Sequence, residues 1–134
     1  MESITEKARD QGNLTDNKDG TVTDNVTGLV WQQGQSVAMT WDDAVAYAKG
    51  LTLGGHSDWR LPSKDELESL FDKSRVAPTF DPLYFPNTNA SCYWSSSTRA
   101  YDTNHAWAVY FHFGSFHYCY KSDYYYVRCV RGKQ

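Results

Sequence analysis

Thirteen of the 21 Phe, Trp and Tyr residues in this 134-residue chain fall between Ser91 and Gln134, with three of the four histidines and only two acids. They crowd into segments that otherwise read as ordinary antiparallel strands and loops. Tyrosine and histidine each carry a flat apolar body and a polar tip, so they make large contacts at low cost in side-chain entropy. A region this rich in them points to a recognition surface and not to a catalytic centre.

The length admits one domain, which at this size buries roughly two thirds of its unfolded surface. The net charge of −3 hides a split: residues 1–90 carry 14 acids and 8 bases, residues 91–134 carry 2 acids and 5 bases. Those bases are scattered, with Arg128 and Arg131 in an apparent core strand, so the basic stripe of a nucleic-acid binder is missing. No apolar run approaches the ~20 residues that span a bilayer, and the polar start from Met1 to Asn17 lacks the apolar region of a signal peptide. The chain as given reads as soluble, with no membrane insertion, and its compartment stays open. Cys92, Cys119 and Cys129 lack the paired spacing of a zinc site. Two readings remain for them: a Cys92–Cys129 bridge closing the aromatic region as a loop, stabilising by roughly 3–4 kcal/mol, or three reduced, partly buried thiols.

Residues 1–18 read as a polar lead-in to a single domain over 19–134. Thr21-Val22-Thr23-Asp24 alternates as a short strand, and Gly28-Leu29-Val30-Trp31-Gln32 is its hairpin partner across a turn from Asn25 to Gly28. Asp16, Asp19 and Asp24 superficially suggest calcium, but an EF-hand loop with Gly20 at its sixth position would need an acid where Thr15 stands, so turn chemistry is the better reading. Two helices follow. Thr40 caps the first, with Asp43 three residues on, an apolar face of Trp41, Ala44, Val45 and Ala48, and Gly50 at its end. Ser63 and Glu66 form the S-x-x-E box of the second, whose Leu67, Leu70 and Phe71 are spaced to pack inward. Its acids Asp65, Glu66 and Glu68 suit the favourable end of a helix, which explains them without acid–base catalysis.

The segment Gly54-Gly55-His56-Ser57-Asp58-Trp59-Arg60-Leu61-Pro62 between the helices is distinctive. With Val22-Thr23-Asp24-Asn25-Val26-Thr27-Gly28-Leu29-Val30-Trp31-Gln32, Tyr93-Trp94-Ser95-Ser96-Ser97 and Tyr126-Val127-Arg128-Cys129-Val130-Arg131, it resembles the C-terminal domain of Legionella collagen-like protein over residues 19–132. The resemblance implies an α+β, C-type-lectin-like fold: two helices packed on a small irregular antiparallel sheet, with long loops that present ligand contacts. It also implies adhesion, including binding of sulfated glycosaminoglycans, assembly as a homotrimer, and a surface-displayed, secreted or virion-associated setting. A sulfated sugar calls for clustered Lys and Arg, and residues 91–134 offer only five bases, so a fixed glycosaminoglycan-binding adhesin is the alternative and not the first reading.

Where such domains often run rich in Asn, this chain has Tyr110, His112, Ser115, His117, Tyr118, Cys119 and Tyr120, then Asp123, Tyr124 and Tyr125. Each type is reachable from an Asn codon by changing adenines alone. That resembles the variable proteins of diversity-generating retroelements, which vary a ligand-binding face on a C-type-lectin scaffold. Alternation from His105 to Phe113 places Trp107, Val109 and Phe111 on a core face and Ala106, Ala108, Tyr110 and His112 outward. Phe116 is assigned inward and Tyr126 to the core. His117, Tyr118, Cys119 and Tyr120 are expected to form a binding ridge beside Tyr101, Asp102, Asn104 and His105. Tyr118 and Tyr120 are expected to be exposed, because burying both rings would require a partner for each hydroxyl.

An enzyme is the rival class, since formylglycine-generating enzymes share a related architecture and use a pair of copper-binding cysteines. Cys92 and Cys129 sit where a structural bridge is more natural, and His105 falls on the strand face opposite His112, which disfavours a histidine metal site. The expectation is a non-enzymatic domain, without cofactor, metal or nucleic acid, that presents a Tyr- and His-rich surface from Tyr101 to Tyr125 to a protein or glycan.

Overall fold

The structure, a computed structural model, describes residues 13–72 and 80–132. The expected lead-in up to residue 12 lies outside them. Strand β1 (Leu14–Asp16) pairs with β2 (Thr21–Asp24), β2 with β3 (Val30–Gln32), and β3 with β7 (Val130–Arg131), all antiparallel. Helices α1 (Trp41–Gly50) and α2 (Lys64–Glu68) precede a second antiparallel sheet of β4 (Cys92–Trp94), β5 (His105–Tyr110) and β6 (Ser115–Tyr120). The class is α+β as expected, but with two small sheets where one was expected. The closing segment links them: Tyr126 bridges Tyr93 at the edge of β4, and five residues later Arg131 pairs with Val30 of β3. Among the described residues no helix is long and apolar enough to cross a membrane.

Local chemistry accounts for most of these elements. The β2–β3 hairpin places Val22 opposite Trp31, and its turn is held by Asp24, whose carboxylate accepts from the backbone N–H of Val26 and Thr27. Asp16 and Asp19 likewise accept within their own turns, from Lys18 N–H and from Thr21, the turn chemistry the sequence suggested. Leu14–Asp16, expected within the lead-in, is instead an edge strand. One apolar residue gave it no strand signal, and it is helped by polar bonds such as Asn25 Nδ2 donating to Thr15. Thr40 caps α1 and Ser63 caps α2, the latter with a complete capping box through Glu66. Arg60 donates to both Glu66 oxygens at 2.8 Å. Burial pushes the Glu66 carboxyl up, but the bonds from Arg60 and the Ser63 N–H together hold it below the usual glutamate range.

Both faces of the β4–β5–β6 sheet contribute to a core. On one side Tyr93, Val109 and Phe111 join Trp31, Leu67 and Leu70. On the other Trp94, Ala106 and Ala108 join Ala44 and Ala48 of α1, Trp59 and Val127. Ala106 and Ala108 are therefore fully buried, which corrects the expectation that their face looks outward. Alternation divides a strand between faces, but it does not say that one face is wet, and small alanines are what let α1 and Trp94 approach. Phe116 and Tyr126 pack against the first core as expected. Arg128 is 1% exposed and donates to the Gly34 and Gln33 carbonyls and to Thr88, with its guanidinium over Phe85 and Tyr93. Burial lowers its pKa to about 10.

The three cysteines are free thiols, so the Cys92–Cys129 bridge is not formed. Cys129 is fully buried in the second core, and its backbone N–H is taken by Gln32. Cys92 and Cys119 pack only at the margin of that core.

Candidate functional site

Strand β6 is regular, so its residues split between two faces instead of forming one ridge. Pairing with β5 sets His105 beside Tyr120, Trp107 beside Tyr118 and Val109 beside Phe116, while Ala106 faces Cys119, Ala108 faces His117 and Tyr110 faces Ser115. Directly opposed residues share a face. The expected ridge is thereby divided: Tyr118 and Tyr120 lie on one side, His117 and Cys119 on the other.

On the first side the rings touch. His105 stacks on Tyr118 at 5.2 Å and 19° and lies 4.2 Å from Tyr120, and Trp107 lies 4.9 Å from Tyr118. Two cations sit among them. Lys64 Nζ is 4.7 Å from the Trp107 ring centre and 4.6 Å from that of Phe116, while the Arg99 guanidinium is 4.2 Å from the Tyr118 ring and 5.5 Å from Trp107. These are cation–π distances. Lys64 is placed by the start of α2, where its N–H donates to Ser97, whose carbonyl in turn accepts from Trp107 N–H. Arg99 is placed by a tight turn in which Asp102 N–H donates to its carbonyl.

Asp102 organises that turn. It accepts from Asn104 N–H at 3.1 Å and stands 3.0 Å from His105 Nδ1. The bond from His105 holds the Asp102 carboxyl below the usual aspartate range, and an ionised carboxylate only accepts, so Nδ1 carries the proton. Tyr120 is 60% and Tyr101 88% exposed. Tyr118 departs from expectation: it is half-buried, and its hydroxyl is buried without a hydrogen-bond partner among the described residues. Beside Tyr120, an open groove of about 520 Å³ is lined by Thr40, Asp42, Asn104, Lys121 and Ser122.

The remaining predicted residues lie elsewhere. Tyr110 and His112 pack around Phe113 at the hairpin tip, where Gly114 turns the chain at φ 72°. Ser115 and His117 bond to each other at 3.0 Å. Tyr125 lies against Trp94 and bonds the Cys119 thiol, which removes both from any exposed ridge. Asp123 lies near this pair, and Tyr124 is 68% exposed. Burial pushes the Cys92 thiol up to about 11 and Cys129 to about 12, and it raises Cys119 as well. Among the described residues no group of His, Cys, Asp and Glu is arranged to hold a metal ion.

Sequence reasoning missed Lys64 and Arg99 and assigned Trp107 to the core. Trp107 shares alternation with His105, a usable signal, and Arg99 stands two residues before Tyr101. Nothing local linked Lys64 to a strand more than forty residues later.

The fold and this face define a small α+β domain with an aromatic sheet surface. A family model for the Lcl C-terminal domain matches residues 20–131, and the chain belongs to that family. Comparison with curated proteins gave no match.

Proposed function

We propose that this is a non-enzymatic ligand-binding domain of the adhesion or receptor type, C-type-lectin-like in fold, which recognises a protein or glycan through the His105–Trp107–Tyr118–Tyr120 face. One observation carries the reading: four rings in successive contact, Trp107 with Tyr118, Tyr118 with His105 and His105 with Tyr120, stand on a sheet whose other face joins the core at Ala106 and Ala108, so aromatic area is presented with little left to order on binding. Tyr, Trp and Arg are the residues that dominate interface energetics. The thiols support the non-enzymatic part, because burial raises all three, whereas reactive cysteines have lowered values.

The candidate positions that differ from Asn within residues 110–125 support a surface diversified by a retroelement. Sequencing the encoding locus tests this. A nearby reverse transcriptase and a near-repeat of the segment for residues 99–131, differing at adenines, are the expected finding, and their absence would leave a fixed surface. A homotrimer belongs to the proposal through the family, and sedimentation equilibrium tests it. For recognition itself, protein and glycan arrays supply a partner, and Tyr118→Ala with Tyr120→Ala must weaken it. An unchanged affinity would sink the assignment.

A further inference from the structure

Lys64 and Arg99 both stand over Trp107, and among the described residues neither has a carboxylate within 4.0 Å. Among the described residues Arg60 binds Glu66 and Arg131 binds Asp58 at 2.6 Å, whereas Lys121 lies alone over Trp41, so what sets Lys64 and Arg99 apart is that they share one ring. The Tyr118 hydroxyl, on the ring that Arg99 covers, is a third unsatisfied group at the same place. Among the described residues, two cations without a carboxylate within 4.0 Å and a hydroxyl without a partner gather on two touching rings. The two cations are the accessible part of this group; the hydroxyl is buried.

We propose that this spot is an anion subsite for a single carboxylate of a protein partner, an Asp or Glu side chain seated over Trp107 between Lys64 and Arg99, with the flanking apolar part of the partner on Tyr118, His105 and Tyr120. The inference rests on the recognition reading above and deepens it. Charge complementarity selects the occupant. A polyanion needs a track of cations, and the surroundings supply acids instead: Asp65 and Glu68 are exposed on α2 beside Lys64, and Asp102 lies beside Arg99. A sulfated glycan or nucleic acid would gain two contacts and meet repulsion beyond them. A lone carboxylate flanked by apolar atoms meets the two cations and the rings, and sets one charge against those acids where a polyanion sets many. Arg99, its guanidinium 4.2 Å from the Tyr118 ring centre, has N–H donors to offer the carboxylate oxygens.

The test uses the isotope-labelled whole chain titrated with a capped hexapeptide, Ala-Val-Glu-Val-Ala-Ala, its counterpart with Gln in place of Glu, and a sulfated heparin hexasaccharide. The expected result is that the Glu peptide shifts the Trp107 indole and Arg99 side-chain signals, binds at least about tenfold more tightly than the Gln peptide, and loses that advantage in Lys64→Gln with Arg99→Gln. Equal binding of the two peptides, shifts elsewhere on the molecule, or preference for the hexasaccharide would overturn it. The two proposals fail separately. If an array-identified partner is lost with Tyr120→Ala yet bound equally by Lys64→Gln with Arg99→Gln, recognition stands and the carboxylate subsite falls. If neither change matters, both fall.

Discussion

The two faces of the β5–β6 hairpin share strands, register and backbone bonds, yet one is closed over Ala106 and Ala108 and the other keeps large rings partly at the surface. The face of Ala106, Ala108 and Cys119 meets Ala44 and Ala48 of α1 and Trp94; the face of His105, Trp107, Tyr118 and Tyr120 meets α2 at its Val109 and Phe116 end, with Lys64 over Trp107 and Arg99 over Tyr118. Small alanines let α1 come close on one face. On the other, α2 covers the Val109 and Phe116 end, and beyond it His105 and the exposed Tyr120 pack on each other.

That contrast is broken most severely from the sealed side. Trp94 is fully buried, packs on Tyr125 and donates to the Met39 carbonyl at 2.8 Å. Trp94→Ala should cost about 3–5 kcal/mol, read as a lower urea midpoint; a loss under ~1 kcal/mol would mean that this face is not the core described. On the open side, Tyr120→Ala should leave stability within about 0.5 kcal/mol. A larger loss would make the ring a packing element.

Acid sharpens the comparison at its hinge, where α2 delivers Lys64. The folded-state pKa of Glu66 is depressed, so its contribution is present above the unfolded value and is lost as pH falls below the usual glutamate range, through the folded value. Between pH 6 and pH 3 the urea-midpoint gap between the parent and Glu66→Gln should therefore shrink. A gap independent of pH would contradict the Arg60–Glu66 account. The smallest effect is expected for Tyr118→Phe: removing an unpartnered hydroxyl should leave the free protein as stable or more stable by up to ~1 kcal/mol. Destabilisation would mean that the hydroxyl has a partner.

What was legible in the sequence was local. Thr40 and Ser63 announce their helices by capping, Val22 and Trp31 pair across a turn marked by Gly28, and Phe116 and Tyr126 pack inward as their positions required. The Lcl C-terminal domain resemblance, carried on four separated motifs, is matched over residues 20–131. The losses came from relations between distant segments. Ala106 and Ala108 carry no sign of a helix above them, and Leu14 has too little apolar company to mark β1. Treating His117 to Tyr120 as one ridge ignored the period of two that a paired strand imposes, and the cation over Trp107 came from a helix cap that strand reasoning does not reach. Of the candidate residues, Asp102, His105, Tyr118 and Tyr120 are brought together. Tyr110 and His112, Ser115 and His117, and Cys119 and Tyr125 form three separate groups.

The most direct measurement compares one partner, captured on protein or glycan arrays, against single substitutions on the two faces: Tyr120→Ala on the open side and His117→Ala on the other. The account predicts a loss of about thirtyfold for Tyr120→Ala, the ~2 kcal/mol of an interface anchor, with His117→Ala within about threefold of the parent. Equal losses, or a larger loss at His117, would contradict the claim that the His105–Trp107–Tyr118–Tyr120 face is where this domain recognises its ligand.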